Sequence, residues 1–199
     1  MESITVFTPT YNRGNIIKRL YCSLKKQTCK DFVWLVVDDG STDGTVGVLR
    51  EAVESLVTKV IYCQENRGKG AAIRRGIAEA SGDVIIIQDA DFEYSPEFYP
   101  QVVEPVLRGQ AEACYGSRFA KTRWIKGAYI CNILANWFLT WLSNRFTGYR
   151  LTDMETCFKA VRRDILQALT LEQERFGIEP EITAKLAKAK CRIVEVPID

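Results

Sequence analysis

The sequence has 199 residues, 47% of them apolar, and 27 Lys and Arg side chains stand against 25 Asp and Glu for a formal charge of +2. This length and composition suit one globular domain, and the balanced charge argues against a nucleic-acid partner, which requires a surface of one sign. Histidine is absent, which excludes Ser–His and Cys–His nucleophile pairs and leaves acid–base or metal chemistry to carboxylates.

The seven cysteines are spread along the chain without a C-x-x-C pair. This scatter argues against a disulfide framework or a zinc knuckle and predicts reduced, partly buried thiols in a cytosolic protein. The opening residues, MESIT, show no basic segment followed by a long apolar one, so no secretory signal is predicted. The longest apolar stretch, 128–142, is shorter than the ~20 residues that cross a bilayer, so no membrane span is predicted.

Short apolar runs alternate with amphipathic stretches along the first 119 residues. Predicted helices cover 14–27, 43–56, 69–80 and 96–108, and they separate five predicted strands, ITVFT, FVWLVVDD, KVIYC, DVIIIQD and EACYGS. This alternation is typical of an α/β fold with a mostly parallel sheet and helices on both faces. Ligands of such sheets bind at the carboxyl ends of the strands, so the polar residues that follow each strand are candidates for a site.

After residue 120 the pattern changes. A long aromatic helical region is predicted at 124–147, a strand at TCFKAVRR and a helix at 179–190. Since no linker, repeat or low-complexity segment interrupts the sequence, we predict a single domain over 1–199.

A group of acids follows the fourth predicted strand. Asp89, Asp91 and Glu93 stand at every second position, so a continuing extended backbone would point all three to one side. Nothing in the stretch itself offsets their repulsion, and Mg2+ and Mn2+ take such oxygen ligands, often together with substrate phosphates. The alternative is a solvated acidic turn before the helix that starts near Ser95.

A second acidic pair follows the second predicted strand. In VVDDGSTDGT, Gly40 and Ser41 form a turn directly after Asp38 and Asp39. A carboxylate at this position can accept hydrogen bonds from a nucleobase or a ribose. The alternative is a helix-capping loop with no ligand, which leaves the two adjacent acids unexplained.

The stretch NRGKGAAIRRG follows the third predicted strand and brings Lys69 into the start of a helix, where phosphates are favoured. It imitates part of the dinucleotide fingerprint G-x-G-x-x-G, but Ile73 stands at the third glycine and the stretch does not follow the first strand. G-x-x-x-x-G-K-[ST] is absent. A nicotinamide-dependent oxidoreductase and a P-loop protein are therefore disfavoured.

Six motifs occur in order along the chain: TPTYN, VVDDGSTDGT, NRGKGAA, QDAD, YGSRF and the extended LTDMETCFKAVRR…RFGIEPEITAKLAK…RIVEVPI. Together they resemble the family 2 inverting glycosyltransferases, in the branch of dolichyl-phosphate and polyprenyl-phosphate mannosyl- and glucosyltransferases. The resemblance covers essentially the whole chain. It implies a Rossmann-like GT-A fold that binds a nucleotide-diphosphate sugar together with Mg2+ or Mn2+.

The resemblance also implies residue roles. Asp89, Asp91 and Glu93 would hold the metal against the diphosphate, although relatives often have glutamine at the position of Glu93. Arg13 departs from the glutamate that commonly follows PTYN in this branch, and Arg118 matches a residue that faces the sugar phosphates. The predicted donor-binding residues are Pro9, Tyr11, Arg13, Val37, Asp39, Lys69, Asp89, Ala90, Asp91 and Arg118.

The region 118–147 combines basic and aromatic residues. Basic side chains cluster at 118–126, and the aromatic ones are Trp124, Tyr129, Trp137, Phe138, Trp141 and Phe146. Such a segment suits a helix lying in a membrane interface. The alternative is a buried helix with Trp137 and Trp141 on its core-facing side. The resemblance favours contact with a membrane surface through 124–147, on the cytoplasmic face.

The acceptor decides which residues are catalytic. A hydroxyl acceptor needs a general base, and Asp153 in TDMET is the best candidate in a chain without histidine. A phosphate acceptor is already anionic and needs arginines to position it. The basic cluster favours a polyprenyl phosphate, and the predicted catalytic residues are Asp91, Asp153 and Arg118.

We therefore predict an inverting, metal-dependent transfer of a hexose from GDP-mannose or UDP-glucose to a polyprenyl or dolichyl phosphate. Residues 1–119 would bind the donor and 120–199 would form the acceptor side. Transfer to a cell-surface saccharide is one alternative. A nucleotide-sugar-binding core with little catalysis is another, because relatives continue with a basic segment that closes over the diphosphate, and we expect this segment to be missing after EVPID.

Overall fold

The structure is a computed structural model that describes residues 4–53, 59–91, 94–122 and 129–198. Seven strands within these ranges form one sheet: β1 (Ile4–Thr10), β2 (Phe32–Asp38), β3 (Lys59–Tyr62), β4 (Val84–Ile87), β5 (Ala113–Ser117), β6 (Lys159–Arg162) and β7 (Ile193–Pro197). Their order across the sheet is β3-β2-β1-β4-β6-β5-β7. The five strands predicted in the first 119 residues are confirmed.

The strands β1 to β4 form the parallel half of the sheet. β1 pairs with β2, Thr10 lying opposite Asp38, and with β4, Phe7 lying opposite Ile87. β3 extends this half from the other side of β2. All four residues of β4 are buried, which explains why its sequence is continuously apolar rather than alternating. Parallel pairing places the carboxyl ends of these strands, and the loops that follow them, at one edge.

The strand β6 is the antiparallel member of the described sheet. It lies between β4 and β5, with Ala160 opposite both Ile86 and Cys114, and β7 pairs in parallel with β5. The sequence predicted a strand in TCFKAVRR, but it predicted neither this insertion nor β7. The predicted fold is nevertheless confirmed, since the sheet is mostly parallel and carries helices on both faces.

The helices follow the predicted order. They are α1 (Gly14–Lys25), α2 (Thr45–Val48) with a π-helical turn at Leu49–Val53, α3 (Lys69–Glu79), α4 (Tyr99–Leu107) preceded by a 3-10 turn at Pro96–Phe98, α5 (Ile130–Thr147), α6 (Arg163–Ala168) and α7 (Ile178–Lys188). The short α6 was not predicted. The ends of the predicted segments 43–56 and 124–147 lie partly outside the described residues, at 54–58 and 123–128.

The packing of α3 on β1 positions the end of the glycine-rich loop (residues 66–70), where α3 begins. A Cβ atom at Gly76 would lie 2.1 Å from the ring of Phe7, which is fully buried. A side chain larger than a hydrogen atom at this position would therefore push α3 away from the sheet. This close contact holds the N-terminus of α3, and with it Lys69, near the carboxyl end of β1.

All seven cysteines are free thiols, three of them buried, as the sequence predicted. Of the helices in the described ranges, none combines the length and apolar character needed to cross a bilayer.

Candidate active site

A cavity of about 330 Å3 opens at the carboxyl ends of β1, β2 and β4. Eight predicted donor-binding residues line it: Pro9, Tyr11, Arg13, Asp39, Lys69, Asp89, Ala90 and Asp91. Arg175 and Phe176 also line it, although no role is predicted for them from the sequence. Val37 is instead buried inside β2, and Arg118 belongs to a neighbouring cluster after β5. Glu93, the third predicted metal ligand, lies outside the described residues.

One wall of the cavity is formed by the turns after β1 and β2, which are joined by hydrogen bonds. Asn12 has a left-handed backbone with φ of 53°; its N–H donates to Ser41 Oγ at 2.9 Å, and its side-chain oxygen accepts from the N–H of Thr42 at 2.8 Å. Asp38 in turn accepts from the N–H and hydroxyl of Ser41 at 3.1 and 2.5 Å. Asp38 is therefore a turn-forming residue that fixes the loop after β2.

Asp39 joins this turn to the glycine-rich loop. Its carboxylate accepts hydrogen bonds from the N–H of Gly68 at 2.7 Å, the N–H of Arg67 at 3.2 Å and the side-chain amide of Asn66 at 3.0 Å. A carboxylate offers about four acceptor positions. Asp39 thus uses most of its capacity within the protein and can accept little more than one hydrogen bond from a ligand.

The segment before α7 packs on the other side of the glycine-rich loop. Gly68 has φ of 101°, and a Cβ atom there would lie 2.6 Å from the carbonyl oxygen of Glu174. That oxygen accepts the N–H of Ala71 at 3.1 Å. Only glycine tolerates both this backbone conformation and this approach. The contact brings the neighbouring Arg175 and Phe176 to the mouth of the cavity.

Lys69 lies between two carboxylates at the base of the cavity. Its Nζ is 2.7 Å from Asp89 Oδ2 and 3.1 Å from Glu179 Oε1. Glu179, in the first turn of α7, also contacts Nζ of the fully buried Lys159 at 2.5 Å. Burial alone would raise the pKa of Glu179, but Lys159 and Lys69 outweigh that effect and hold its pKa below the ordinary value.

The same environment keeps Lys69 charged. Burial disfavours the ammonium form, but the acidic groups around it, including Glu179 and Asp89, outweigh burial and raise the pKa of Lys69 above its usual range. The four groups Asp89, Lys69, Glu179 and Lys159 therefore form a chain of alternating charge that is neutral as a whole. The sequence showed Glu179 only as an acid near a helix start, so its place in this chain was missed.

The carboxylates at the end of β4 suit a hard divalent cation. Asp89 and Asp91 both line the cavity, and Asp91 is exposed. Asp89 already binds one cation, the ammonium group of Lys69. Oxygen donors that line an open cavity and attract positive charge match the ligand preference of Mg2+ and Mn2+. No cluster of three metal-ligating side chains occurs within the described ranges, so substrate phosphates or water would complete the ligand set.

The other two predicted catalytic residues, Asp153 and Arg118, form a second cluster beside the end of β5. Asp153 is fully buried and accepts Arg118 Nε at 2.7 Å, Nη2 at 2.9 Å and the backbone N–H at 3.1 Å. The side-chain amide of Asn136 adds a fourth hydrogen bond at 2.9 Å. The guanidinium of Arg118 also lies over the ring of Tyr94, 5.5 Å from its centroid. Asp153 therefore orients Arg118 and has its acceptor positions filled.

The helix α5 has an inverted distribution of polarity. Its buried residues are Ile133, Asn136 and Thr140, of which two are polar. Its exposed residues are mostly large and apolar: Ile130, Leu134, Phe138, Leu139, Trp141 and Phe146. The alternative that Trp141 faces the core is wrong, because 61% of its surface is exposed. Contiguous exposed apolar patches often mark interaction surfaces, so this face of α5 is a candidate for one.

Residues 5–170 match the family described as glycosyl transferase family 2. The chain belongs to this family. The predicted family and its GT-A fold are confirmed, and the chain is a glycosyltransferase domain.

The chain is similar to two curated relatives and to one solved structure. It is 29% identical to a dolichol-phosphate mannosyltransferase from Pyrococcus furiosus, over 98% of this chain and 55% of the relative. It is 26% identical to an undecaprenyl-phosphate 4-deoxy-4-formamido-L-arabinose transferase from Aeromonas hydrophila, over all of this chain and 60% of the relative. The chain thus spans little more than half of either relative.

The solved structure is glucosyl-3-phosphoglycerate synthase from Mycobacterium tuberculosis, crystallised with Mn2+, uridine diphosphate and phosphoglyceric acid. It superposes with a TM-score of 0.73 and 20% identity, over 98% of this chain and 68% of that chain. At this level of identity the similarity establishes the fold alone.

Proposed function

We propose that this glycosyltransferase domain moves a hexose from a nucleotide-diphosphate sugar, GDP-mannose or UDP-glucose, to a polyprenyl or dolichyl phosphate, with inversion at the anomeric carbon. The observation that carries the proposal is the arrangement at one edge of the sheet. The cavity with Asp89, Asp91 and Lys69 lies at the end of β4, and the Arg118–Asp153 pair lies at the end of β5. The names of the two curated relatives agree with a lipid phosphate acceptor.

The cavity supplies the contacts that a nucleotide sugar requires. Tyr11 and Pro9 offer apolar surface for the nucleoside. Thr10 also lines the cavity, and its buried hydroxyl has no hydrogen-bond partner in the described part of the chain. Asp39 has capacity for about one further hydrogen bond. Lys69, at the N-terminus of α3, is a cation for the diphosphate.

Asp89 and Asp91 would hold the Mg2+ or Mn2+ ion, with Glu93 as the third ligand that the family pattern implies. The bound ion would offset the negative charge that develops on the departing nucleoside diphosphate. Lys69 contributes positive charge to the same group from the protein side. Asp91 therefore acts as a ligand rather than as an acid or a base in this proposal.

The environment of Asp153 favours a phosphate acceptor. A general base must have a lone pair directed at the proton that it removes. Four N–H donors from Arg118 and Asn136 occupy the carboxylate of Asp153, which makes it a positioning residue for Arg118. A phosphomonoester is largely dianionic at neutral pH and needs no base, but it needs an oriented guanidinium.

The exposed face of α5 would lie in the membrane interface on the cytoplasmic side and bring the site to its lipid acceptor. The aromatic residues Phe138 and Trp141 are 59% and 61% exposed, and rings of this kind favour the headgroup region. Asn136, on the opposite face of the same helix, donates to Asp153. The helix therefore connects the membrane-facing surface to the residue that orients Arg118.

An acceptor panel tests the proposal. The chain is incubated with GDP-mannose or UDP-glucose, with Mn2+ or with chelator, and with either a polyprenyl phosphate or a saccharide acceptor. We expect transfer to the lipid phosphate only, and only with the metal. Transfer to the saccharide would identify a cell-surface glycosyltransferase. Binding of the nucleoside diphosphate with Mn2+ but without transfer or donor hydrolysis would identify a nucleotide-sugar-binding core.

A further inference from the structure

Lys69 has two carboxylate partners that differ in their surroundings. Asp89 follows β4 and lines the cavity, where its side chain is 18% exposed. Glu179 belongs to α7 and is only 5% exposed. Lys69 Nζ is 2.7 Å from the first and 3.1 Å from the second. Lys69 thus bridges Asp89, which a ligand in the cavity can reach, and Glu179, which is almost completely buried.

Glu179 is fixed on the side away from the cavity. Its second oxygen is 2.5 Å from Nζ of Lys159. Lys159 is fully buried, donates to the carbonyl oxygens of Met154 and Thr156, and lies 4.8 Å from the centroid of the Tyr115 ring. A charge held by this many contacts cannot follow a moving partner. Lys69, in contrast, has a flexible four-carbon side chain and is 19% exposed.

We propose that Lys69 is a built-in counter-ion that neutralises Asp89 until the divalent cation binds, and that Glu179 is the positioning residue that retains Lys69 once it leaves Asp89. This inference rests on the proposed role of Asp89 and Asp91 as metal ligands. A divalent ion on Asp89 would repel the ammonium group beside it, because like charges a few ångströms apart repel strongly where water is scarce. The ion pair with Glu179 then keeps the ammonium group of Lys69 in the site after it has left Asp89.

The exchange couples the metal to the nucleotide. Without nucleotide, the metal must displace Lys69 from Asp89, and this competition weakens its binding. With a nucleoside diphosphate present, Lys69 gains new anionic partners in the phosphates, so its release from Asp89 is no longer opposed. Metal and nucleotide therefore strengthen each other's binding, and by linkage the effect is the same in both directions.

Mn2+ titrations of the whole chain test the inference without any transfer reaction. Groups next to a metal ligand typically change metal affinity by about 10–100-fold. We expect Lys69→Met to bind Mn2+ alone about tenfold more tightly than the unmodified protein. The same variant should bind GDP or UDP in saturating Mn2+ about tenfold more weakly, because the diphosphate has lost a cation. Two changes of opposite sign distinguish an exchanged counter-ion from a group that only supports the fold.

Glu179→Gln gives the complementary measurement. With Glu179 neutral, Lys69 is left with Asp89 as its carboxylate partner, so Mn2+ alone should bind more weakly. This effect should vanish in the double variant with Lys69→Met. Lys59→Met is the matched control, since it removes a lysine paired with Glu79 at the start of β3 and should leave Mn2+ affinity unchanged. Thermal unfolding verifies that each variant is folded, and Lys69→Gln replaces Lys69→Met if the latter is not.

Two results would overturn the inference, and they differ in what else they affect. If Mn2+ binds the unmodified protein and Lys69→Met binds it equally or more weakly, Lys69 and the metal do not compete, and the proposed function stands. If Mn2+ does not bind the unmodified protein even with GDP or UDP, the metal site itself is wrong, and both proposals fall.

Discussion

Arg118 donates three hydrogen bonds to the buried carboxylate of Asp153, from Nε at 2.7 Å, from Nη2 at 2.9 Å and from its backbone N–H at 3.1 Å. An aspartate engaged in this way fixes a guanidinium and is poorly placed to remove a proton. The pair therefore favours direct attack by a phosphate, as proposed, over base-assisted attack by a hydroxyl.

Asp153→Asn should slow transfer less than Asp91→Asn. The amide keeps one acceptor oxygen for Arg118, whereas Asp91→Asn removes a proposed metal ligand, and with it negative charge, from the proposed donor site. Breaking a buried charge pair costs about 3–5 kcal/mol, so we also expect Asp153→Asn to unfold at a lower denaturant concentration than the unmodified protein. Initial rates at saturating substrates, taken on protein shown to be folded, give the comparison.

The pH profile of Asp153→Asn is the decisive control. The acidic limb of the rate should remain near the second pKa of the phosphate acceptor, about 6, because the acceptor and not Asp153 provides it. Equal and complete loss of activity in Asp153→Asn and Asp91→Asn would instead support a hydroxyl acceptor and a true general base.

Arg118→Lys should raise the KM for the lipid phosphate more than it lowers kcat. Lysine presents a single charged point and cannot form the two-pronged contact with Asp153 that orients a planar guanidinium. We expect a loss of about tenfold in kcat/KM for the acceptor, by analogy with the loss of one charge-assisted hydrogen bond. The KM for the nucleotide sugar should change little.

Arg162→Lys provides the matched control for that substitution. Arg162 also contacts an aspartate through Nε and Nη2, at 3.1 and 2.6 Å from Asp164, but this pair lies on the surface. Surface ion pairs contribute little, so both KM values should stay as they were. A similar loss in the two variants would mean that the Arg118 effect does not arise at the acceptor.

Trp141→Glu should weaken binding to vesicles of anionic phospholipid by at least severalfold. The ring is 61% exposed on the apolar face of α5, and a carboxylate there is repelled by the lipid headgroups and cannot enter the interface. Co-sedimentation with vesicles measures the effect. Asn15→Glu, which makes the same change in charge at an exposed position of α1, should bind like the unmodified protein. Equal binding of both variants would remove α5 from the membrane contact.

Most of the residues that line the cavity could be predicted from the sequence because their signals are local. A continuously apolar strand such as β4 specifies burial on both faces, and the polar residues after it then fall at the ligand-binding edge. The sequence therefore predicts Asp39, Lys69, Asp89 and Asp91 at one edge of the sheet, and all four line the cavity. The position of β6 could not be predicted in this way, because periodicity indicates that a segment is a strand but not which strands it joins.

The charge relationships depend on contacts between distant segments. Asp38 and Asp39 look alike in sequence, but Asp38 turns back to Ser41 whereas Asp39 reaches Gly68, 29 residues further along. Glu179 is unremarkable as an acid in the first turn of a helix, where the helix dipole alone favours it. Only the packing of α3, β6 and α7 shows that it balances two lysines.

Glu179 should make the stability of the protein depend on pH in the acidic range. Burial alone would raise the pKa of Glu179, but Lys159 and Lys69 lower it in the folded state, whereas an unfolded glutamate has a pKa of about 4.3. A lowered folded-state pKa means that the stabilisation is fully present above the unfolded value and is lost as the pH falls through the folded value. The difference in unfolding free energy between the unmodified protein and Glu179→Gln should therefore be constant above about pH 5.

Below that pH the difference should shrink, because the protonated glutamate becomes as neutral as glutamine. Removing one partner of a buried pair costs about 3–5 kcal/mol, so urea unfolding at steps from pH 3 to pH 7 resolves the change. Burial and the charge of Glu179 both raise the pKa of the partly buried Glu155, so its titration differs between the two proteins. The series is therefore repeated with Glu155→Gln in both. Glu104→Gln, which breaks an exposed pair with Arg108, should show little effect at any pH. A gap that grows toward pH 3 would show that Glu179 is held neutral in the folded protein and that Lys69 lacks the second carboxylate assigned to it.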